Sequence, residues 1–231
     1  MHLQQQHNFG VKSAVVFHQI LGFVLSMLLV FRINTAYDRW WEGRRLWGSL
    51  VNNSRSLIAK LAALLASSSP SELRELGAIL AAFPFALRDH LRDASGDSSL
   101  TTLPPSVGEQ LSRAKHKPLL LFNVIVDRLA SLRAANVLTD EHLLLVNPEV
   151  FSLVDITGAC ERIKSSPIPF SYSLFLKKII FAYVITMPLT FSIEYGYWAI
   201  PAVMLIFYAF ASLEIVSEEV EEPRSEEHTS E

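Results

Sequence analysis

An apolar run from residue 14 to residue 31 leads into a block, residues 31–48, that contains three tryptophans and four arginines. Trp and Tyr concentrate where hydrocarbon meets water, and Arg concentrates on the cytoplasmic side of membrane segments. The run has about the minimum length for a helix that crosses a bilayer. The block therefore marks the point where a transmembrane helix enters the cytosol. Because His18 and Gln19 interrupt the run, one side of this helix is expected to face protein or water.

The composition predicts a protein with both membrane and cytosolic parts. Of the 231 residues, 50% are hydrophobic and 19% are charged, and the mean hydropathy is +0.29. This is too apolar for a typical soluble domain. Alternation typical of strands is absent, so the predicted class is all-α. The net charge of -3, with dispersed basic residues, argues against a nucleic-acid-binding surface.

Two further apolar segments, 179–193 and 198–213, are joined by the short polar and aromatic stretch 194–197. This pattern predicts a membrane hairpin whose first helix extends back to Phe170, because each apolar half is short for a bilayer core of about 30 Å. The arginines of residues 32–45, together with Lys177 and Lys178, place the middle of the chain in the cytosol. Three spans would then start the chain outside, and a further span before Met1 would restore a cytosolic N-terminus.

Four parts follow from this pattern: residues 1–31 as an N-terminal segment and membrane helix, 32–169 as a helical cytosolic region, 170–216 as the hairpin, and 217–231 as an acidic tail. Residues 224–231 resemble the translation of a sequencing adapter and are set aside. Three cytosolic helices are predicted over residues 37–65, 70–92 and 118–134, the second with a Ser69 cap. A short helix capped by Thr139 and a helix from Asn147–Pro148 to Lys164 follow. Residues 94–105 are predicted to form a loop. Pro167 and Pro169 predict a break before the hairpin.

Catalytic and cofactor-binding patterns are not found in the sequence. It has no glycine-rich phosphate loop and no Gly-x-Ser-x-Gly elbow, and no two histidines lie three or four residues apart, so no catalytic, cofactor or metal site is predicted. A membrane-embedded enzyme would need His18, Glu194 and Glu214 to converge in one pocket.

The remaining polar clusters have ordinary interpretations. Asp89 and Asp93 flank His90 and could polarise its imidazole, but a solvated helix end is the simpler interpretation. The acidic run 218–222 could attract calcium, although a solvated helical tail is expected. Cys160 is interpreted as an inert core thiol.

Several motifs resemble bacterial members of the bestrophin family. They are residues 29–48 (LVFRINTAYDRWWEGRRLWG), 160–163 (CERI) and 167–172 (PIPFSY), together with the hairpin and the run EEVEEP that ends at Pro223. The resemblance implies a homopentameric ion channel of the bacterial inner membrane, with four transmembrane helices in each subunit and the pore on the five-fold axis. Since three spans are visible, the family's first helix is expected to be missing or reduced to residues 1–12.

The resemblance also implies where the pore is narrow, because the family's second helix lines a hydrophobic neck with side chains one turn apart. Counting back from Arg32 gives Val16, Ile20 and Val24. A shift of one residue gives Val15, Gln19 and Phe23 instead. The first set is preferred because it is apolar throughout, and rings of such residues could gate by dewetting.

Ile168 matches the family's cytosolic aperture, and its flanking prolines would fix an inward-pointing side chain. The tryptophans are expected to pack helices. The resemblance implies passive conduction of small monovalent ions, either anions, as in animal members, or cations, as in some bacterial relatives. Calcium gating is not supported, since the chain departs from the family pattern after Pro223. The alternative is a non-conducting membrane scaffold that binds partners through its cytosolic region.

Overall fold

The computed structural model describes residues 2–93 and 103–221, with side chains described for these residues except 2–14, 193, 194 and 221. Helices account for almost all of this part of the chain and it has no strands, so the predicted all-α class is confirmed. The predicted loop 94–105 lies largely outside the described residues, as does the segment from residue 222 onward. The elements are α1 (His2–Leu65), α2 (Pro70–Arg92), α3 (Pro105–Arg113), α4 (Lys117–Ala134), α5 (Asp140–Ser165), α6 (Phe170–Tyr195), a 3₁₀ turn (Gly196–Trp198) and α7 (Ala199–Glu221).

The chain divides into two compact units: residues 1–41 with 167–231 form unit 1, and residues 42–166 form unit 2. Four described segments are long and apolar enough to cross a membrane by length and composition: Val15–Leu65, Asp140–Ser165, Phe170–Ser192 and Gly196–Val220. The segment Asp140–Ser165 is additional to the three spans predicted from the sequence. It corresponds to α5, which belongs to unit 2.

The core of unit 2 is built by apolar faces of α1, α2, α4 and α5. On α1 the buried leucines recur at steps of four and seven residues, which places them on one face of the helix. The fully buried aromatic residue of this core is Phe83, on α2. The other principal core residues are Leu50, Leu57, Leu61, Leu65, Leu76, Ile79, Leu87, Leu121, Ile125, Val146, Val150 and Leu153.

A single helix, α5, replaces the two helices predicted around Pro148, so that prediction is wrong. The Thr139 side chain accepts a hydrogen bond from the His142 N–H, as a helix cap should. Pro148 then lies inside the helix, where it removes one backbone hydrogen bond. Val146 and Val150 are both buried in the core on either side of it, so packing holds the helix continuous through the proline.

Two other local details differ from the sequence prediction. Ser69 occupies the N-cap of α2, but its side chain makes no capping hydrogen bond there. The short helix α3 was not predicted, because nine residues carry too little periodic pattern to be recognised. Val107 and Leu111 are its buried residues.

The core of unit 1 lies between the first part of α1 and the hairpin of α6 and α7. Leu25 and Leu29 of α1 pack with Tyr183 and other residues of α6. Gly22 makes this approach possible, since an added Cβ would lie 3.1 Å from Tyr183 Cζ and closer still to the hydroxyl oxygen. The predicted hairpin is present, with its first helix beginning at Phe170 after the two prolines. The turn includes Gly196, whose φ of 55° is in the left-handed region that favours glycine.

Candidate pore-lining helix and its supporting charge cluster

The predicted neck residues lie on the exposed side of α1 in unit 1. Val16, Ile20 and Val24 are 53%, 59% and 45% exposed. The buried stripe of the same helix contains Leu25 and Leu29. At 3.6 residues per turn, Val16 and Ile20 lie almost opposite that stripe, while Val24 lies toward one side. The preferred register therefore places three apolar side chains where another surface could meet them.

The alternative register is divided between two environments. Val15 is partly buried, Gln19 is exposed, and Phe23 is 71% exposed. Val15 and Gln19 line a small cavity beside His18, whereas Phe23 lies on the same outer face as Ile20. The outer face of the helix thus combines residues of both registers, and the choice between them remains a prediction.

His18 lies on the inner side of α1, where its ring stacks on Tyr183 with centroids 4.6 Å apart and planes 18° from parallel. The side chain is buried, and its Nε2 has no hydrogen-bond partner among the described residues. The adjacent cavity has a volume of about 80 Å³. The prediction that one side of this helix faces protein is confirmed for His18, while Gln19 remains exposed.

Arg32, the first arginine after the apolar run, is buried within unit 1. It is 2% exposed, and its Nη1 lies 2.9 Å from Glu214 Oε1 of α7. Its Nε donates a hydrogen bond of 3.1 Å to the Ser217 hydroxyl. A carboxylate and a hydroxyl on α7 therefore lie beside the buried guanidinium, and partners of this kind are what allow an arginine to be buried.

Glu214 is the centre of a small charge cluster that joins the three helices of unit 1. It is 7% exposed, and Lys177 Nζ of α6 lies 3.8 Å from its Oε1. Lys177 also pairs with Glu218 at 3.0 Å. This cluster was not predicted from the sequence. Glu214 lies at the end of a long apolar run, where a carboxylate requires a partner, and that position was a usable signal.

Ile168 is partly exposed in the short non-helical segment that precedes α6, between Pro167 and Pro169. The role of Ile168 as an aperture residue stays a prediction. The rings of Tyr37, Trp40 and Trp41 contact one another along α1 itself, with centroids 5.8 and 6.5 Å from that of Tyr37. Trp47 packs against the core of unit 2, as the expected role in helix packing requires.

The polar clusters that were weighed for catalysis do not converge as that hypothesis required. His18 contacts Tyr183, whereas Glu214 pairs with Arg32, so these two residues have different neighbours. The side chain of Glu194 lies outside those described.

The environment of His90 differs from the predicted solvated end flanked by aspartates. Asp89 pairs with Arg88, and Asp93 pairs with Lys164. His90 instead contacts Glu161 of α5, because the fold brings the ends of these two helices together.

Cys160, the single cysteine, lies in the core of unit 2 and is 6% exposed. Burial, with a smaller contribution from Glu161, raises the pKa of its thiol to about 11. Because the thiolate is the reactive form, this cysteine is chemically inert near neutral pH. The interpretation as a core thiol is confirmed.

Comparison with known proteins matches nearly the whole sequence to one family. The family model described as Bacterial/Fungal Bestrophin protein matches residues 2–229. The voltage-dependent anion channel-forming protein of Nostoc sp. is 33% identical over 96% of this chain and 73% of its own length. Its counterpart YneE from Escherichia coli K12 is 30% identical over 94% of this chain and 71% of its own length.

The fold agrees with the sequence relationship. The crystal structure of a bacterial bestrophin homolog from Klebsiella pneumoniae superposes with a TM-score of 0.85 at 26% identity, covering 90% of this chain and 78% of that one. A family match over the chain and a shared fold lead to the same assignment. This protein is a member of the bacterial and fungal bestrophin family.

Proposed function

We propose that this protein is the subunit of an ion channel that conducts small monovalent anions passively and catalyses no reaction. The observation that carries the proposal is its similarity, over most of their length, to proteins named as voltage-dependent anion channel-forming. The apolar outer face of α1 supports it, because a helix that lines a pore must present one side away from its own subunit.

In the proposed topology, the first part of α1 with α6 and α7 crosses the bacterial inner membrane, residues 32–169 lie in the cytosol, and 217–231 form a tail. The apolar residues of α5 support a cytosolic location for that helix, because many of them fill the core of unit 2. Glu149 on α5 also pairs with Lys60 at 2.6 Å. Burial raises the pKa of Glu149, but hydrogen bonds from Lys60 and Ser56 outweigh it and leave the pKa below its ordinary value.

The channel is proposed to be a homopentamer, as the family resemblance implies. Large apolar side chains on the outside of unit 1 support assembly or lipid contact, since an isolated soluble protein would rarely expose so many. Among them are Phe17, Phe23, Met27, Phe181, Leu189, Met204 and Tyr208. The pore constrictions in this proposal are rings of Val16, Ile20 and Val24 and a ring of Ile168.

Current recorded across a planar bilayer with asymmetric KCl tests the function directly. Anion conduction is expected to bring the reversal potential toward the equilibrium potential of chloride. A reversal potential near that of potassium would indicate a cation channel and would overturn the proposed selectivity. Absence of current above that of empty bilayers would favour the non-conducting scaffold.

Cysteine substitution tests which face of α1 lines the neck. Since Cys160 is buried and its pKa is raised to about 11, it should not react, and no native cysteine has to be removed. A negatively charged thiol reagent is expected to reduce ion flux about tenfold or more at Val16→Cys, Ile20→Cys and Val24→Cys. A tenfold reduction requires the free-energy barrier to ion passage to rise by only about 1.4 kcal/mol. Ile168→Cys should respond in the same way.

The same measurement at Val15, Gln19 and Phe23 tests the alternative register. Leu189→Cys is a matched control, because this α6 residue is 71% exposed but lies outside the proposed pore. If modification stops flux at Val15, Gln19 and Phe23 while the first set is insensitive, the neck assignment is wrong by one residue. Equal responses at every position, including the control, would argue against any specific lining face.

A further inference from the structure

Three helices of unit 2 place a pair of imidazoles and a carboxylate at one point. His90 lies in the last turn of α2, His116 is the N-cap residue of α4, and Glu161 lies near the end of α5. Nε2 of each histidine is 2.7 Å from the same oxygen, Glu161 Oε1. The two rings have centroids 4.2 Å apart. The three residues are far apart in sequence, so tertiary packing alone creates the cluster.

We propose that His90, His116 and Glu161 form a binding site for a divalent transition-metal ion of the zinc type. Two imidazole nitrogens and one carboxylate oxygen are a donor set that Zn²⁺ accepts, with a fourth position left for water. Calcium and magnesium prefer ligand sets made of oxygen, so two nitrogens select against them. All three donor atoms lie within 4.8 Å of one another, which places them within reach of one ion.

An ion can reach this cluster from solvent. The side chains of His90, His116 and Glu161 are 24%, 35% and 36% exposed. The cation of Lys164 lies beside His90, to whose carbonyl oxygen its Nζ donates at 3.3 Å, and the same Nζ lies 2.7 Å from Asp93 Oδ1. The carboxylate of Asp93 therefore offsets the charge of Lys164, and Glu161 supplies a negative charge within the cluster itself.

Binding must move protons within the rings, because Nε2 of each histidine now contacts the carboxylate of Glu161 through a hydrogen bond. Ligand atoms on a tetrahedral zinc ion lie about 3.3 Å apart, so the donors must separate by about half an ångström from their 2.7 Å spacing. In each neutral ring the proton leaves Nε2 and solvent returns one to Nδ1, so the ring stays neutral and the Nε2 lone pair is free to bind the ion.

This proton shift has a specific effect on α4. In the metal-free protein, His116 Nδ1 accepts a 3.2 Å hydrogen bond from the Leu119 N–H. A protonated Nδ1 cannot accept that bond. Metal binding therefore links α2, α4 and α5 and at the same time releases the side-chain cap of α4.

Zinc binding to the purified full chain in detergent, measured by competition with a chromophoric chelator, tests the site without reference to ion flux. The wild type is expected to bind one Zn²⁺ per chain at this site, and Glu161→Gln and His90→Gln should each weaken the affinity by more than about tenfold. His116→Asn is the sharpest variant, because asparagine can still cap the helix but lacks the imidazole. It should lose affinity while retaining the thermal stability of the metal-free wild type.

His142→Gln is the matched control. This histidine also takes part in a helix cap, since its Nδ1 accepts from the Thr139 N–H, but it lies outside the cluster. Its removal should leave zinc affinity unchanged. Zinc affinity that is equal in His116→Asn, Glu161→Gln and the wild type would overturn the proposal, as would a wild type with no stoichiometric uptake. X-ray absorption of the zinc complex should show a mixed nitrogen and oxygen shell, and a shell of oxygen alone would also overturn it.

Discussion

Replacing Arg32 with alanine is expected to lower the stability of the protein by about 3–5 kcal/mol, because it leaves a carboxylate buried without its main partner. The Glu214 side chain is 9% exposed, and its Oε1 forms an ion pair with Arg32 Nη1 at 2.9 Å. Lys177, at 3.8 Å, is the remaining cation near it and is half exposed, so it compensates only partly. The measurement is the fraction of folded protein that survives heating in detergent, followed by size-exclusion chromatography.

Two companion variants distinguish the cost of leaving a buried charge without a partner from the cost of lost packing. Arg55→Ala removes an exposed arginine from the same helix and should have little effect. The double substitution Arg32→Met with Glu214→Met removes both charges and should recover much of the loss, since apolar replacement of a buried ion pair is often neutral. If Arg32→Ala survives heating as well as Arg55→Ala, the ion pair does not hold α1 against α7.

Phe83→Ala is expected to lower the free energy of unfolding of unit 2 by about 3–5 kcal/mol. Phe83 is fully buried in a core to which α1, α2, α4 and α5 all contribute, so its removal leaves a cavity that the surrounding helices cannot fill. Thermal unfolding of the purified protein, followed by circular dichroism, measures the effect.

Phe85→Ala is the matched control, because it removes the same side chain two residues away on the same helix. Phe85 is 41% exposed, and its ring contacts the guanidinium of Arg88 at 5.5 Å. Its loss should therefore lower stability by about 1 kcal/mol or less. A similar loss in both variants would mean that the two phenylalanines share one environment, contrary to the structure.

Local sequence signals predicted most helix boundaries. Pro70 opens α2 and Pro169 immediately precedes α6, because proline is suited to a first turn and incompatible with a preceding helical residue. The same reasoning failed at Pro148, where burial of Val146 and Val150 holds the helix through the proline. Tertiary packing can outweigh one missing hydrogen bond, and the sequence does not reveal how much packing a segment will have.

Some features of the candidate sites could likewise be predicted from local sequence, and others could not. The exposure of Val16, Ile20 and Val24 could be predicted, because residues four apart share one face of a helix, whereas their role in a pore neck stays a prediction. The partner of Arg32 and the cluster around Glu161 could not be predicted. Each joins residues more than 40 positions apart, and nothing local in the sequence indicates which distant carboxylate meets which cation or imidazole.

By itself, the sequence determined that this protein is helical, that apolar segments on both sides of a polar middle suit a membrane, and that it resembles bestrophins. These properties depend on hydrophobic periodicity, proline positions and contiguous motifs, all of which are local. The tertiary structure decided that Arg32 is buried against α7, that α5 is one helix, and that two isolated histidines meet one glutamate. Those outcomes depend on which helix faces pack together, because a buried charge persists only where its partner is brought to it.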